Sequence, residues 1–127
     1  MDEKQVDPFI ILVKARFEVV GIHRWPDAPD DKAFLRSPHR HKFHFEVAAR
    51  ASHDDREIEA IELGESCRRH IVEAFEIRMS EFGEYQRDFG TLSCEQLARM
   101  LLTWNPRLSA VSVMEDDEQG ASLVRVA

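Results

Sequence analysis

Cysteine is scarce in this 127-residue chain, which has two, Cys67 and Cys94. Their spacing matches neither a metal-binding pair nor a disulfide framework, so a reducing, cytoplasmic setting is expected. Long apolar runs are missing too. The longest, Pro8 to Val13, is far too short to cross a bilayer, and no secretion-signal pattern precedes it. No membrane partner is expected. Positive charge is in deficit, with 17 Lys and Arg against 24 Asp and Glu and a formal charge of −7. That balance argues against nucleic acid as the main partner, because neutralising phosphates takes a basic surface. Solenoid repeats and low-complexity segments are absent as well. With 43% hydrophobic and 32% charged residues, the composition is that of a single globular domain over 1–127, with 1–7 a loose polar terminus.

What the chain does have is histidine in one place. Four of its six histidines lie between His23 and Phe45. Upstream, Ile11, Val13, Ala15, Phe17 and Val19 alternate with Leu12, Lys14, Arg16 and Glu18, which predicts a strand from about Phe9 to Ile22 with one buried face. The same parity carries Gly21 and His23 onto that face. Downstream, Phe43, Phe45, Val47 and Ala49 alternate with polar neighbours over a strand from about His39 to Ala51, and their parity includes His39 and His41. Paired as an antiparallel hairpin, the two strands bring His23, His39 and His41 together at one end and on one face. One histidine on an apolar face is ordinarily a hydrogen-bonded core residue. Three of shared parity at one hairpin end can supply three of the four tetrahedral ligands of zinc, Zn2+, leaving one position open. His44, His53 and His70 have no such placement.

The connection from Arg24 to Pro38, rich in Pro and Asp, predicts a long loop, the kind that carries function. A helix is predicted to begin near Glu65, with Ile71, Ala74, Phe75 and Met79 on its apolar stripe. A polar connection, Glu81 to Gly90, follows. Ser93 and Gln96 form a capping box that opens a second helix, with Leu97, Leu101 and Trp104 inward and Asn105-Pro106 as its stop. Val111 and Val113, a turn over Asp116 to Gly120, and a return from Ala121 to Val126 predict a second hairpin. Glu115 extends its apolar face. The expected fold is therefore α+β, ordered ββααββ, with a four-stranded antiparallel sheet and two helices on one face. Open sheet edges point to self-association.

At this point the chain resembles the 6-pyruvoyl-tetrahydropterin synthase and 6-carboxy-tetrahydropterin synthase family of the T-fold. The resemblance rests on Phe17 to His23, His39-Arg-His41-Lys-Phe43, Leu92-Ser-Cys-Glu95 and Val113-Met-Glu115-Asp116, in the family's order and spacing. It implies zinc on His23, His39 and His41. It implies that Glu115 pairs with the edge of a pterin or purine-like small molecule, that Glu95 supports the same pocket, and that the chain forms a homo-oligomeric ring or barrel, a trimer or dimer of trimers. The implied activity is that of a zinc-dependent lyase acting on a dihydroneopterin triphosphate or a related pterin or purine-derived substrate, as in 7-deazapurine biosynthesis.

Two features of the family are missing. The loop before His39 lacks the family's cysteine, with Ala33 near its place, and Phe75 to Gly83 contains neither Asp nor His where the family has an Asp-His relay. Arg40 replaces the glycine of His-Gly-His. Moving protons between adjacent carbons needs a positioned base, for which the candidates are Asp31, Asp30 and Cys94. The alternatives are a catalytically inactive T-fold protein that keeps zinc or pterin binding, and a purely structural role.

Overall fold

The computed structural model describes residues 7–126, so residues 1–6 of the expected loose terminus lie outside the described residues. Two long strands, β1 (Ile11–His23) and β2 (His39–Ala51), pair antiparallel along their whole length, with His23 opposite His39, Gly21 opposite His41 and Phe17 opposite Phe45. The alternation decides which face is buried. Val19, Phe43, Phe45, Val47 and Ala49 are all covered, and the rings of Phe17 and Phe45 stack 4.8 Å apart. The connecting segment is not a bare loop. It holds a short 3₁₀ segment, Asp30–Arg36, and its ends are tied by the Trp25 N–H donating to the Leu35 carbonyl at 2.8 Å.

Helix α1 (Ala60–Ala74) begins a turn earlier than Glu65. The Glu59 carboxylate caps it, accepting from the N–H groups of Ile61 and Glu62. The helix ends before Met79, which lies instead on β3 (Ile77–Met79). With β4 (Tyr85–Asp88), β3 makes a small hairpin, where a plain connection was expected. Gly83, at φ 80°, supplies the left-handed residue that its tight turn requires. β4 then lies parallel to β1, with Gly21 opposite Arg87. Helix α2 (Cys94–Trp104) starts at the predicted Ser93/Gln96 capping box. β5 (Leu108–Glu115) and β6 (Gln119–Val124) form the last hairpin.

The sheet is thus six-stranded and mixed, in the order β3-β4-β1-β2-β5-β6, rather than four-stranded and antiparallel. The two extra strands are so short, and β3 so exposed, that no alternation is long enough to announce them. Cys67 and Ile71 of α1 and Leu97, Ala98 and Leu101 of α2 pack on the buried face with Val111 and Val113 of β5. Trp104 is not in that core. It is 41% exposed and stacks on His70 of the neighbouring helix at 4.1 Å. Gly21 has a specific task. A Cβ there would sit 2.4 Å from the Phe89 ring, so its absence lets Phe89 lie on the sheet, edge-on to Phe43 at 4.9 Å. Phe43 in turn meets the rings of His23 and His41 at 5.1 and 5.6 Å, making an apolar floor under the histidines.

Candidate metal centre

The hairpin register brings the three predicted histidines into one cluster. Ring centroids lie 4.6 Å apart for His23 and His39, 5.4 Å for His23 and His41, and 5.0 Å for His39 and His41. β5 adds a fourth member, because Glu115 pairs with Phe43 on the far side of β2. Each of the four offers one ligand atom, and these atoms all lie within 4.8 Å of one another.

Hydrogen bonds on the other side of each ring decide what the cluster presents. His23 Nδ1 donates to the Leu92 carbonyl at 2.8 Å, and His39 Nδ1 to the Ser37 carbonyl at 2.9 Å. His41 Nδ1 faces the Asp116 carboxylate at 2.7 Å. A carbonyl or carboxylate can only accept, so each Nδ1 carries a proton, and each Nε2 is the nitrogen left free to bind a proton or a cation. Two of these nitrogens face a carboxylate, His23 Nε2 at 2.8 Å and His41 Nε2 at 3.4 Å from Glu115 Oε2. The buried His23 Nε2 has no hydrogen-bond partner of good geometry. With the rings neutral, acceptors converge on one point with no donor among them. Only a proton or a cation relieves that arrangement, and three imidazoles with a carboxylate form a donor set that zinc accepts.

The electrostatics of the cluster pull the same way. Burial works to lower the His23 pKa, but the Glu115 carboxylate and the Leu92 carbonyl outweigh it, and the net shift is upward. Hydrogen bonding to His23 holds the Glu115 carboxyl below its ordinary range against the cost of burial. His39 goes the other way, lowered first by burial and then by its two histidine neighbours.

A cleft of about 530 Å³ opens beside the cluster. His23, His39 and Glu115 form one wall, Trp25 and Leu35 of the connecting segment another, and Leu92 to Glu95 a third. Glu95, exposed in the first turn of α2, lies at the cleft. Cys94 also lines it. Burial, aided by the nearby carboxylates of Glu115 and Glu95, pushes its thiol up to about 12, so it stays protonated and cannot serve as a base near neutral pH. Asp30 and Asp31 are not brought to the cleft. Asp30 is fully exposed and pairs with Arg36 at 2.8 Å, while Asp31 pairs with Lys32 at 3.4 Å. Turn-forming 3₁₀ residues point their carboxylates to solvent here. Arg40, alternating to the opposite face from His39 and His41, binds Glu84 with two hydrogen bonds of 2.5 and 2.8 Å and stays out of the site. Sequence reasoning missed the three acceptors behind the rings, Leu92, Ser37 and Asp116. Two are backbone carbonyls, which carry no residue-type signal.

A fold relative is known. The chain is similar to the crystal structure of the uncharacterized protein WS1659 from Wolinella succinogenes, with a TM-score of 0.51 and 14% identity over 91% of this chain and 98% of that one. At that identity the likeness shows the fold alone. No family model matches the chain, and no curated protein matches it. Among the described residues, no helix is long and apolar enough to cross a membrane.

Proposed function

We propose that the cluster is a zinc centre on a T-fold subunit. The adjoining cleft takes a pterin or purine-like heterocycle, making the protein a divergent pterin synthase-like lyase for a dihydroneopterin triphosphate or related substrate. The observation that carries this reading is the convergence of three Nε2 atoms and the Glu115 carboxylate beside a cleft. Zinc, when bound, supplies a Lewis acid able to polarise a carbonyl or acidify a hydroxyl of the substrate. His23, His39 and His41 hold it. Glu115, at the boundary of centre and cleft, accepts from the ring N–H and amino groups of the heterocycle, and Trp25 and Leu35 cover its flat face. Proton transfer falls to Glu95, the other carboxylate of the cleft, since Glu115 is held ionised by His23, Asp30 and Asp31 lie elsewhere, and Cys94 is protonated.

Assembly into a homo-oligomeric ring belongs to the same reading. Among the described residues, the terminal strands β3 and β6 leave sheet edges unpaired, and Gln119 and Gly120 of β6 line the cleft, so a copy docked there borders the site. The test is direct. Metal analysis of the purified protein is expected to give one zinc per chain, and the zinc-loaded protein is expected to convert dihydroneopterin triphosphate to a product separable by chromatography. Protein without zinc, or zinc-loaded protein inert toward pterin and purine-derived substrates, overturns the lyase.

One observation favours a second reading. The cleft, as formed by the described residues, has no cysteine thiolate or histidine free of the cluster to relay protons, which suits a subunit that captures a heterocycle without changing it. Under that reading, pterins raise the melting temperature and are recovered intact.

A further inference from the structure

We propose that Asp116 is a positioning residue of this centre. It locks His41 in the tautomer protonated on Nδ1 and aims Nε2 at the metal position. This rests on the metal reading above for its purpose, but its geometry stands by itself. The two carboxylate oxygens divide their work. Oδ2 accepts from His41 Nδ1 at 2.7 Å, and Oδ1 accepts from the Lys42 N–H at 2.9 Å. The backbone N–H of Asp116 returns a bond to the Lys42 carbonyl at 2.8 Å. One residue at the start of the β5–β6 turn is therefore tied at three points to two consecutive residues of β2.

His41 is the ring that needs this. Main-chain carbonyls of Leu92 and Ser37 hold His23 and His39, whereas His41 has no carbonyl partner among the described residues and is held by a side chain. A carboxylate suits the place because it accepts twice. An amide could accept from only one of the two donors and would turn its NH₂ toward the other. The charge also makes the ring a better ligand, as carboxylates behind metal-bound histidines do.

The backbone points the same way. Asp116 and Asp117 are both left-handed, with φ 53° and 58°. They are the central pair of the turn closed by the Glu118 N–H donating to the Glu115 carbonyl at 2.9 Å, within the three-residue loop between the paired Glu115 and Gln119. Two left-handed residues there favour Asn or Gly, and a left-handed non-glycine residue persists where its surroundings fix it. The two aspartates then differ in what they touch. Asp117 reaches the surface cation Arg16 at 3.6 Å, and only Asp116 turns back to the centre.

That contrast supplies the experiment. Asp116→Gly and Asp117→Gly each remove a carboxylate while keeping a left-handed turn that glycine adopts freely, so both are expected to melt near the parent. In Asp116→Gly, zinc affinity measured by chelator competition is expected to fall about 10- to 100-fold, and Asp117→Gly is expected to bind as the parent does. Long-range imidazole ¹H–¹⁵N spectra of the metal-free protein at alkaline pH supply a readout independent of zinc. His41 is expected to carry its proton on Nδ1 in the parent and to shift toward Nε2 in Asp116→Gly. An unchanged His41 tautomer, unchanged zinc affinity, or equal weakening by both glycine variants overturns the proposal. If the parent takes up no zinc, the metal reading fails, and the tautomer comparison alone decides whether Asp116 holds the ring.

Discussion

His23 Nε2 stands 2.8 Å from Glu115 Oε2, although the two residues belong to strands that never touch in the sheet order. β2 lies between β1 and β5, and both side chains lean over its end toward His41. Since His23 Nδ1 is committed to Leu92, Nε2 meets the anion with either a bare lone pair or a second proton, and the upward shift of the His23 pKa reflects the pull of Glu115 toward that proton. Removing any member of the cluster should therefore change how it holds a cation.

Loss of a ligand should be visible as loss of metal. His39→Ala leaves two histidines and is expected to emerge from gel filtration with far less than one zinc per chain, the fold retained by circular dichroism. Glu115→Gln keeps all three histidines and is expected to retain zinc with affinity lower by about tenfold or more, within the range seen when supporting ligands are altered. A His39→Ala protein that stays fully loaded would remove the basis for the centre.

Cys94→Ala tests whether the thiol takes part in chemistry. With its pKa pushed up to about 12 by burial, the thiol contributes packing and not a base. Zinc content and turnover are expected to match the parent, with a loss of about 1 kcal/mol in urea unfolding, as for a small core truncation. A collapse of turnover with stability preserved would assign Cys94 a chemical role.

Gly21→Ala should damage floor and centre together. The new Cβ falls 2.4 and 2.6 Å from two Phe89 ring carbons, so Phe89 must move, and Phe43 beneath the histidines with it. Overpacking of this kind costs about 1–3 kcal/mol. Urea unfolding should show that loss, and zinc affinity should fall although no ligand is touched.

The β3–β4 hairpin should loosen in acid. The Arg78 side chain, against a smaller opposing effect of burial, holds the Asp88 carboxyl below its ordinary value, and Asp88 also accepts from the Gly90 N–H at 2.9 Å. Glu84, bonded to Arg40, is lowered as well. A depressed carboxyl contributes stability above its unfolded pKa, about 3.9 for Asp and 4.3 for Glu, and that contribution is lost as pH falls through the folded value. Hydrogen exchange in β3 and β4 is thus expected to accelerate below about pH 4 relative to β1 and β2, and Asp88→Asn is expected to flatten the difference.

Much of the centre was legible because strands have a period of two. Val19, Gly21 and His23 on one strand and His39, His41, Phe43 and Phe45 on the other share a parity that survives folding intact. Glu115 was legible on the same grounds, as the residue continuing the side of Val111 and Val113. Asp30, Asp31 and the helical place of Met79 were misread. Side-chain direction in a 3₁₀ turn depends on tertiary contacts, and a three-residue strand such as β3 is too short to show a period.

Alternation along 11–23 and 39–51 determined by itself that three imidazoles gather at one hairpin end, since an antiparallel register leaves them nowhere else to go. The Ser93 capping box likewise determined where α2 begins. Tertiary structure alone decided which ring nitrogens face inward, because that choice belongs to the Leu92 and Ser37 carbonyls and to Asp116, brought up from remote parts of the chain. It also decided that Asp30 and Asp31 stay in water while Glu95 and Cys94 reach the cleft. Hydrogen-bond direction and solvent exposure are properties of the packed neighbourhood, and no local pattern of residues encodes them.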